Sequence, residues 1–285
     1  MFRDLILQQT AHRPWPMSTQ PWRMVQSWHD LLFAHWPVPL AMLRPHIPPA
    51  LEIDTYDDTA WLSIVPFHMR GVRPRFVPGV PWLSAFAELN VRTYVHLPAP
   101  QLNTQPSLAR TQQTKPGVFF FSLDAANPVA VEIARSVFHL PYFNARMSTR
   151  EINGNIHYHS LRTDARSQPG EFRAVYRPTG GIQPAMPGTL DHWLAERYAL
   201  YTTDPQGRLY CGEIHHLPWP LQPAEAEIEV NTLAASVGLE SGGLESGGLV
   251  LPPVAPILQF SRRLDVIIWP LRRIAAPAPA GTPVP

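Results

Sequence analysis

The chain has 285 residues, a net charge of +1 and a hydrophobic fraction of 45%. That is enough apolar material for a sizeable core, and too even a charge balance for a nucleic-acid footprint. Prolines number 34, against an average usage of about 5%, which favours short strands and turns over long helices; the single cysteine, Cys211, excludes an internal disulfide and a cysteine-based zinc site.

Residues 1–20 read as a loose arm. Asp4 and a short apolar run argue against a secretory leader, and no stretch approaches the roughly 18 apolar residues that a membrane helix needs. The expectation is a soluble, cytoplasmic protein with no membrane and no nucleic-acid partner. Trp28–Trp36 reads as a strand, Pro37–Leu43 as a short helical turn, and Ala60–Met69 as a core strand in which Pro66 requires a bulge or an edge. Arg70–Pro81 is a basic, proline-rich loop. Ala87–Val95 alternates, with Glu88, Asn90, Arg92 and Tyr94 on one face and Leu89, Val91, Thr93 and Val95 on the other. Pro98–Thr114 is a polar loop that ends near Lys115, the sole lysine, which reads as part of a solvated hairpin turn.

Gly117–Ser148 carries the densest signal. Val118–Leu123 suits a strand buried on both faces. Asn127 offers an N-cap oxygen and Pro128 falls at the first helical position. Val129, Ile133 and Val137, flanked by Ala130, Ala134 and Phe138, form one broad apolar helix face. Pro141 stops the helix, and Tyr142–Met147 reads as a new strand with Tyr142 and Arg146 on one side. Further on, Asn155–Arg162 and Phe172–Arg177 suggest an antiparallel pair. A second helix runs from the cap Thr189 through Leu190, Trp193, Leu194, Arg197 and Tyr198. Strands follow at Arg208–His215, at Ala224–Val230 and at Leu264–Trp269. Glu225, Glu227 and Glu229 share one strand face, either an exposed acidic face or an inward one; if it is inward, arginines such as Arg92, Arg146 or Arg177 must meet them. Residues 238–248 repeat GLESG and read as a flexible insert, and 275–285 as a disordered Pro/Ala tail. Residues 21–274 are taken as one domain.

The phrases LLFAHWPVP, FAELNVRTYV, SLDAANPVAV, FHLPYFNARM and GEIHHLPWPLQPAEAEIEVNT resemble the YqjF-like family of uncharacterised bacterial proteins. More distantly, the order of signals is similar to the acetoacetate decarboxylase superfamily. The resemblance implies a mainly β (α+β) fold: a curved, closed, barrel-like sheet with short helices around a small cavity. In the decarboxylases two lysines follow the proline of the turn, and the first forms a Schiff base with the substrate. Here Tyr142 and Phe143 stand in their place, and neither can form an imine. The superfamily's glutamate corresponds to Glu88.

The site expected from this comparison has Glu88 as the acid/base group, with Arg92, His139, Tyr142 and Arg146 holding a small carboxylate or carbonyl ligand. Two plainer readings stand beside it. Glu88 and Arg92 could face solvent, or Arg92 could pair with Glu227 or Glu229; Tyr142 could be ordinary core. No metal site is expected, because His157 and His159 lack a third convergent ligand, and no cofactor motif is present. Whether the protein is an enzyme is left open, with a non-catalytic ligand-binding or sensing module and a structural partner protein as alternatives.

Overall fold

The computed structural model describes residues 2–80, 82–98, 114–236 and 254–274. The GLESG insert, the Pro/Ala tail and most of the polar loop before Lys115 lie outside them. Helix α1 (Phe2–Gln8) leads to strand β1 (Met24–Val38), short helix α2 (Leu40–Leu43), β2 (Glu52–Ile53), β3 (Ala60–Pro74), β4 (Phe86–His96) and β5 (Gly117–Ala125). Helix α3 (Pro128–Phe138) and β6 (Tyr142–Ile152), β7 (Asn155–Arg162) and β8 (Glu171–Pro178) follow. Then come α4 (Leu190–Ala195), β9 (Ala199–Thr203), β10 (Leu209–His215), β11 (Gln222–Asn231), α5 (Leu233–Ser236), β12 (Ile257–Ile268) and β13 (Arg272–Arg273).

The strands close on themselves. The ladder β5-β6-β7-β8-β11-β12-β1-β3-β4 returns to β5 and forms a nine-stranded barrel. A second ring is completed through β9 and β10, because β9 pairs with both β5 and β10, and β10 reaches β12. Strands β12, β1, β3, β4 and β5 belong to both rings. They form a wall with an interior on each side, which explains why every residue from Phe86 to Val95 in β4 is buried. The second ring closes through thin seams: Val118↔Leu200 and Phe119↔Tyr201 on one side, Ile214↔Ile268 and His215↔Ile267 on the other. Gly117 permits the first of these, since a Cβ there would lie 2.7 Å from the Ala199 carbonyl oxygen.

The nine-stranded barrel is filled. Leu89 and Val91 of the wall meet Tyr158, Phe172, Tyr176 and Phe260 there. The opposite alternation of the same strands faces the second ring. Pro66 sits where the β1–β3 register breaks between His29 and Ala34, so its missing N–H leaves no ladder position empty. Asp30, in the same break, has a positive φ, and its carbonyl accepts a hydrogen bond from Tyr176.

Some local expectations are met, one left open is decided, and several need correction. The N-terminal arm is tied down: Ile6 and Trp15 are buried, the Ile6 carbonyl bonds the His215 ring, and Arg13 donates to the Ile214 carbonyl. The strand of β3 continues to Pro74, shortening the basic loop. The cap of α3 is Asn127, whose Oδ1 accepts from the Ala130 N–H at 3.1 Å. The helix carries the apolar face expected of it, but that face is largely open. Val129, Ile133 and Val137 are exposed and only Val131 is fully enclosed, because α3 lies over the open side of the second ring. Helix α4 stops at Ala195, short of Tyr198. Strand β12 starts seven residues before Leu264, at Ile257. Glu225, Glu227 and Glu229 point outward; Glu225 pairs with Arg177 at 2.5 Å and Glu229 with Arg173 at 3.7 Å.

One buried ion pair fastens the end of β5. Arg162 Nε donates to Asp124 Oδ1 at 2.7 Å with both side chains fully enclosed, and Arg162 Nη2 reaches Ser122 Oγ. Removing one partner strands the other charge in the interior. Arg162→Met should therefore destabilise the protein by about 3–5 kcal/mol in urea unfolding; an unchanged midpoint would show that the pair contributes nothing.

Candidate functional site

The second ring encloses a cavity of about 1060 Å³. Glu88, Asn90 and Arg92 line it because they are alternate residues of β4 and the other parity fills the nine-stranded barrel. Neither plainer reading of that face describes its geometry: Glu88 and Arg92 are buried, and Glu227 and Glu229 lie outside.

Tyr142 enters from the first residue of β6, next to Leu123 of β5. Its hydroxyl donates to Glu88 Oε2 at 2.8 Å. The Glu88 backbone is held from behind the wall, where Tyr158 donates to its carbonyl oxygen at 2.7 Å. Burial pushes the Glu88 carboxyl up to about 8, with the Tyr142 hydrogen bond opposing. At neutral pH Glu88 is thus a neutral acid. Burial first, and then the neighbouring Glu88, raise the Tyr142 hydroxyl well above its ordinary value, so it remains a donor.

Further along β4 lies Arg92, buried with its guanidinium 5.2 Å from the centre of the Phe33 ring. Arg197, just beyond α4, also lines the cavity. Its Nη1 donates to Asp54 at 2.5 Å, its Nε to the Trp193 carbonyl at 2.7 Å, and its plane covers Trp193. Arg92 has no carboxylate within salt-bridge distance among the described residues. His35 does not add charge nearby: burial first, and Arg92 second, hold it down to about 3. The inner end of the cavity therefore carries two guanidiniums and one carboxylate. Asn90 Oδ1, Arg92 Nε and Arg197 Nη2 are buried without a hydrogen-bond partner among the described residues.

Two expected site residues are elsewhere. Arg146 is exposed on β6. Tyr142 and Ala145 are both buried although three apart, because β6 leaves β5 after Asn144 and pairs with β7 from Ala145 onward. That change of partner breaks the alternation that would have put Arg146 beside Tyr142. His139 caps α3 in the left-handed region, φ 51°, with its ring 5.1 Å from Tyr210 and its carbonyl accepting from Thr202. It does not line the cavity. Lys115 is not a solvated turn residue: its Nζ lies 2.8 Å from Glu213, outside the cavity lining.

Arg197 is the residue that the spacing missed. It occupies a position of the helical template otherwise held by apolar and aromatic residues, and a cation in such a slot is the signal. His216 was likewise not assigned to the cavity. It lines it neutral, with its ring stacked 4.5 Å from Tyr198 and burial lowering its pKa.

With the geometry in place, comparisons with known proteins locate the chain. It is 43% identical over 252 residues to the uncharacterised protein YqjF of Bacillus subtilis (strain 168), covering 88% of this chain and 93% of that protein. Among solved structures, the acetoacetate decarboxylase of Legionella pneumophila superposes with a TM-score of 0.55 at 11% identity, over 95% of each chain. The enduracididine biosynthesis enzyme MppR, in a complex with pyruvate, gives 0.56 at 11% identity, over 91% of this chain and 93% of that one. The fold is that of the acetoacetate decarboxylases. A profile of DUF2071, described as an uncharacterised conserved protein, matches residues 25–265, and the chain belongs to that family.

Proposed function

We propose that the protein binds a small carboxylate- or carbonyl-bearing molecule in the second ring. The observation that carries this reading is Arg92. A buried guanidinium without a protein carboxylate is costly, and an anionic ligand offsets that cost. Its planar fork suits a carboxylate, and the unpartnered Arg197 Nη2 supplies a further donor. Glu88, held by the Tyr142 hydroxyl, offers a protonated oxygen to a ligand oxygen, and a carboxyl poised near 8 is suited to give and retake a proton. The pyruvate of the MppR complex carries both a carboxylate and a carbonyl.

The chain's only lysine is engaged by Glu213 away from the cavity, so the reading contains no lysine imine. Glu88 is the group that would carry acid/base chemistry. A ligand-binding or sensing role without turnover uses the same contacts. That alternative is favoured by the phenol of Tyr142 standing where the superfamily resemblance calls for an amine.

Two outcomes are expected. Millimolar pyruvate or acetoacetate should raise the melting temperature of the wild-type protein and leave that of Arg92→Met unmoved, while the variant itself melts no lower than wild type because it removes an uncompensated buried charge. Equal shifts in both proteins would contradict the role given to Arg92. The second outcome concerns pH. Folded Glu88 keeps its proton up to about 8 whereas the unfolded chain releases it near 4.5. Its contribution is therefore fully present below the unfolded value and is lost as pH rises toward 8. Wild type should lose stability relative to Glu88→Gln by about 1.4 kcal/mol per pH unit across that window. Parallel urea-unfolding curves at pH 5 and pH 8 would show that Glu88 is ionised throughout.

A further inference from the structure

The cavity is much larger than its polar groups need. At about 1060 Å³ it stands at the top of the range of about 300–1,000 Å³ typical of drug-sized ligand sites. An acid the size of pyruvate would leave most of it void. The polar lining falls into two groups, one at the inner end and one, Gln20, Arg23, Gln26 and Arg75, toward Phe76 at the outer end. Arg92, Asn90 and Arg197 mark the inner end, and Glu88 lies four residues back along β4, roughly 13 Å at strand spacing.

Outward of Glu88 the wall is mainly apolar, with Trp28, Phe67, Met69, Phe86 and Ile268, and Gln20, Arg23, Gln26 and Arg75 are its polar members. On β3 the lining runs from Val65 to Pro74, roughly 30 Å of strand. At the outer end three lining side chains are both apolar and exposed: Phe76 at 88%, Ile133 at 45% and Val137 at 52%. The apolar surface is thus continuous from the interior to the rim, and an extended apolar chain would cover it. The charge balance of the inner end sets the head group. Two guanidiniums against Asp54 leave one positive charge at that end, which a single carboxylate neutralises.

We propose that the ligand is an amphipathic monocarboxylate, with its carboxylate at Arg92 and a long apolar chain running past Glu88 and Tyr142 to the rim of Phe76, Ile133 and Val137. This rests on the binding reading above and narrows it from small acids to long-chain ones. Burial of each methylene should then tighten binding about fourfold, until the chain reaches the rim.

The test is calorimetric titration of the full chain with straight-chain alkanoates from butanoate to dodecanoate, each below its micelle concentration. Ala134→Trp is titrated alongside, because Ala134 is a half-buried residue of α3 that lines the outer cavity. Affinity should rise with chain length in wild type. Ala134→Trp should weaken the longest acids at least tenfold and leave butanoate and hexanoate unchanged. Binding of short acids alone, or affinity independent of length, overturns this inference while the binding reading stands. Long acids that bind Arg92→Met as tightly as wild type overturn the placement of the head group. No response to an acid of any length, pyruvate and acetoacetate included, overturns the binding reading together with this one.

Discussion

The structure depends on a wall of strands with an interior on each side. Most β-sheets choose one buried face and leave the other to water. Here β12, β1, β3, β4 and β5 serve two rings at once, so side chains of both parities must be accommodated without solvent. One parity meets a filled aromatic and aliphatic core. The other meets a hollow. Because Glu88, Asn90 and Arg92 share the second parity, a single strand delivers a carboxyl, an amide and a guanidinium to one enclosed space.

That arrangement decides the chemistry of the groups. Glu88 is desolvated by the wall and has no cation beside it, so its proton is retained and its partner Tyr142 remains a donor. Arg92 is desolvated to the same degree but cannot respond by losing its proton. It stays charged, eased by Tyr94 and by the face of Phe33. Arg197 shows the alternative in the same cavity, where Asp54 supplies the counter-charge from within the protein. The two arginines differ in that Arg197 has a carboxylate partner and Arg92, among the described residues, has none.

Much of this was legible in the residues. The alternation of Ala87–Val95 puts Glu88 and Arg92 on a common face, and the Asn127–Pro128 pair marks the start of α3. What periodicity cannot say is what lies beyond a face. Val129, Ile133 and Val137 have the spacing of a buried helix stripe, yet they are exposed beside a cavity mouth, since an amphipathic pattern reports apolarity and not contact. Arg146 was misplaced because a strand that changes partners, as β6 does after Asn144, can lose its alternation without a mark in its sequence. The loose arm was misjudged for a related reason. Ile6, Arg13 and Trp15 are held by residues some two hundred positions away, in β10 and just beyond it, and no local signal encodes such a contact.

The central claim is that the second ring holds a positive charge, on Arg92, with no counter-ion among the described residues. A crystal of the protein soaked in sodium bromide, with data collected at the bromine absorption edge, measures it directly. The account predicts an anomalous peak against the Arg92 guanidinium, inside the cavity and within reach of Asn90. A side-chain carboxylate closed onto Arg92, with no bromide there, would contradict it.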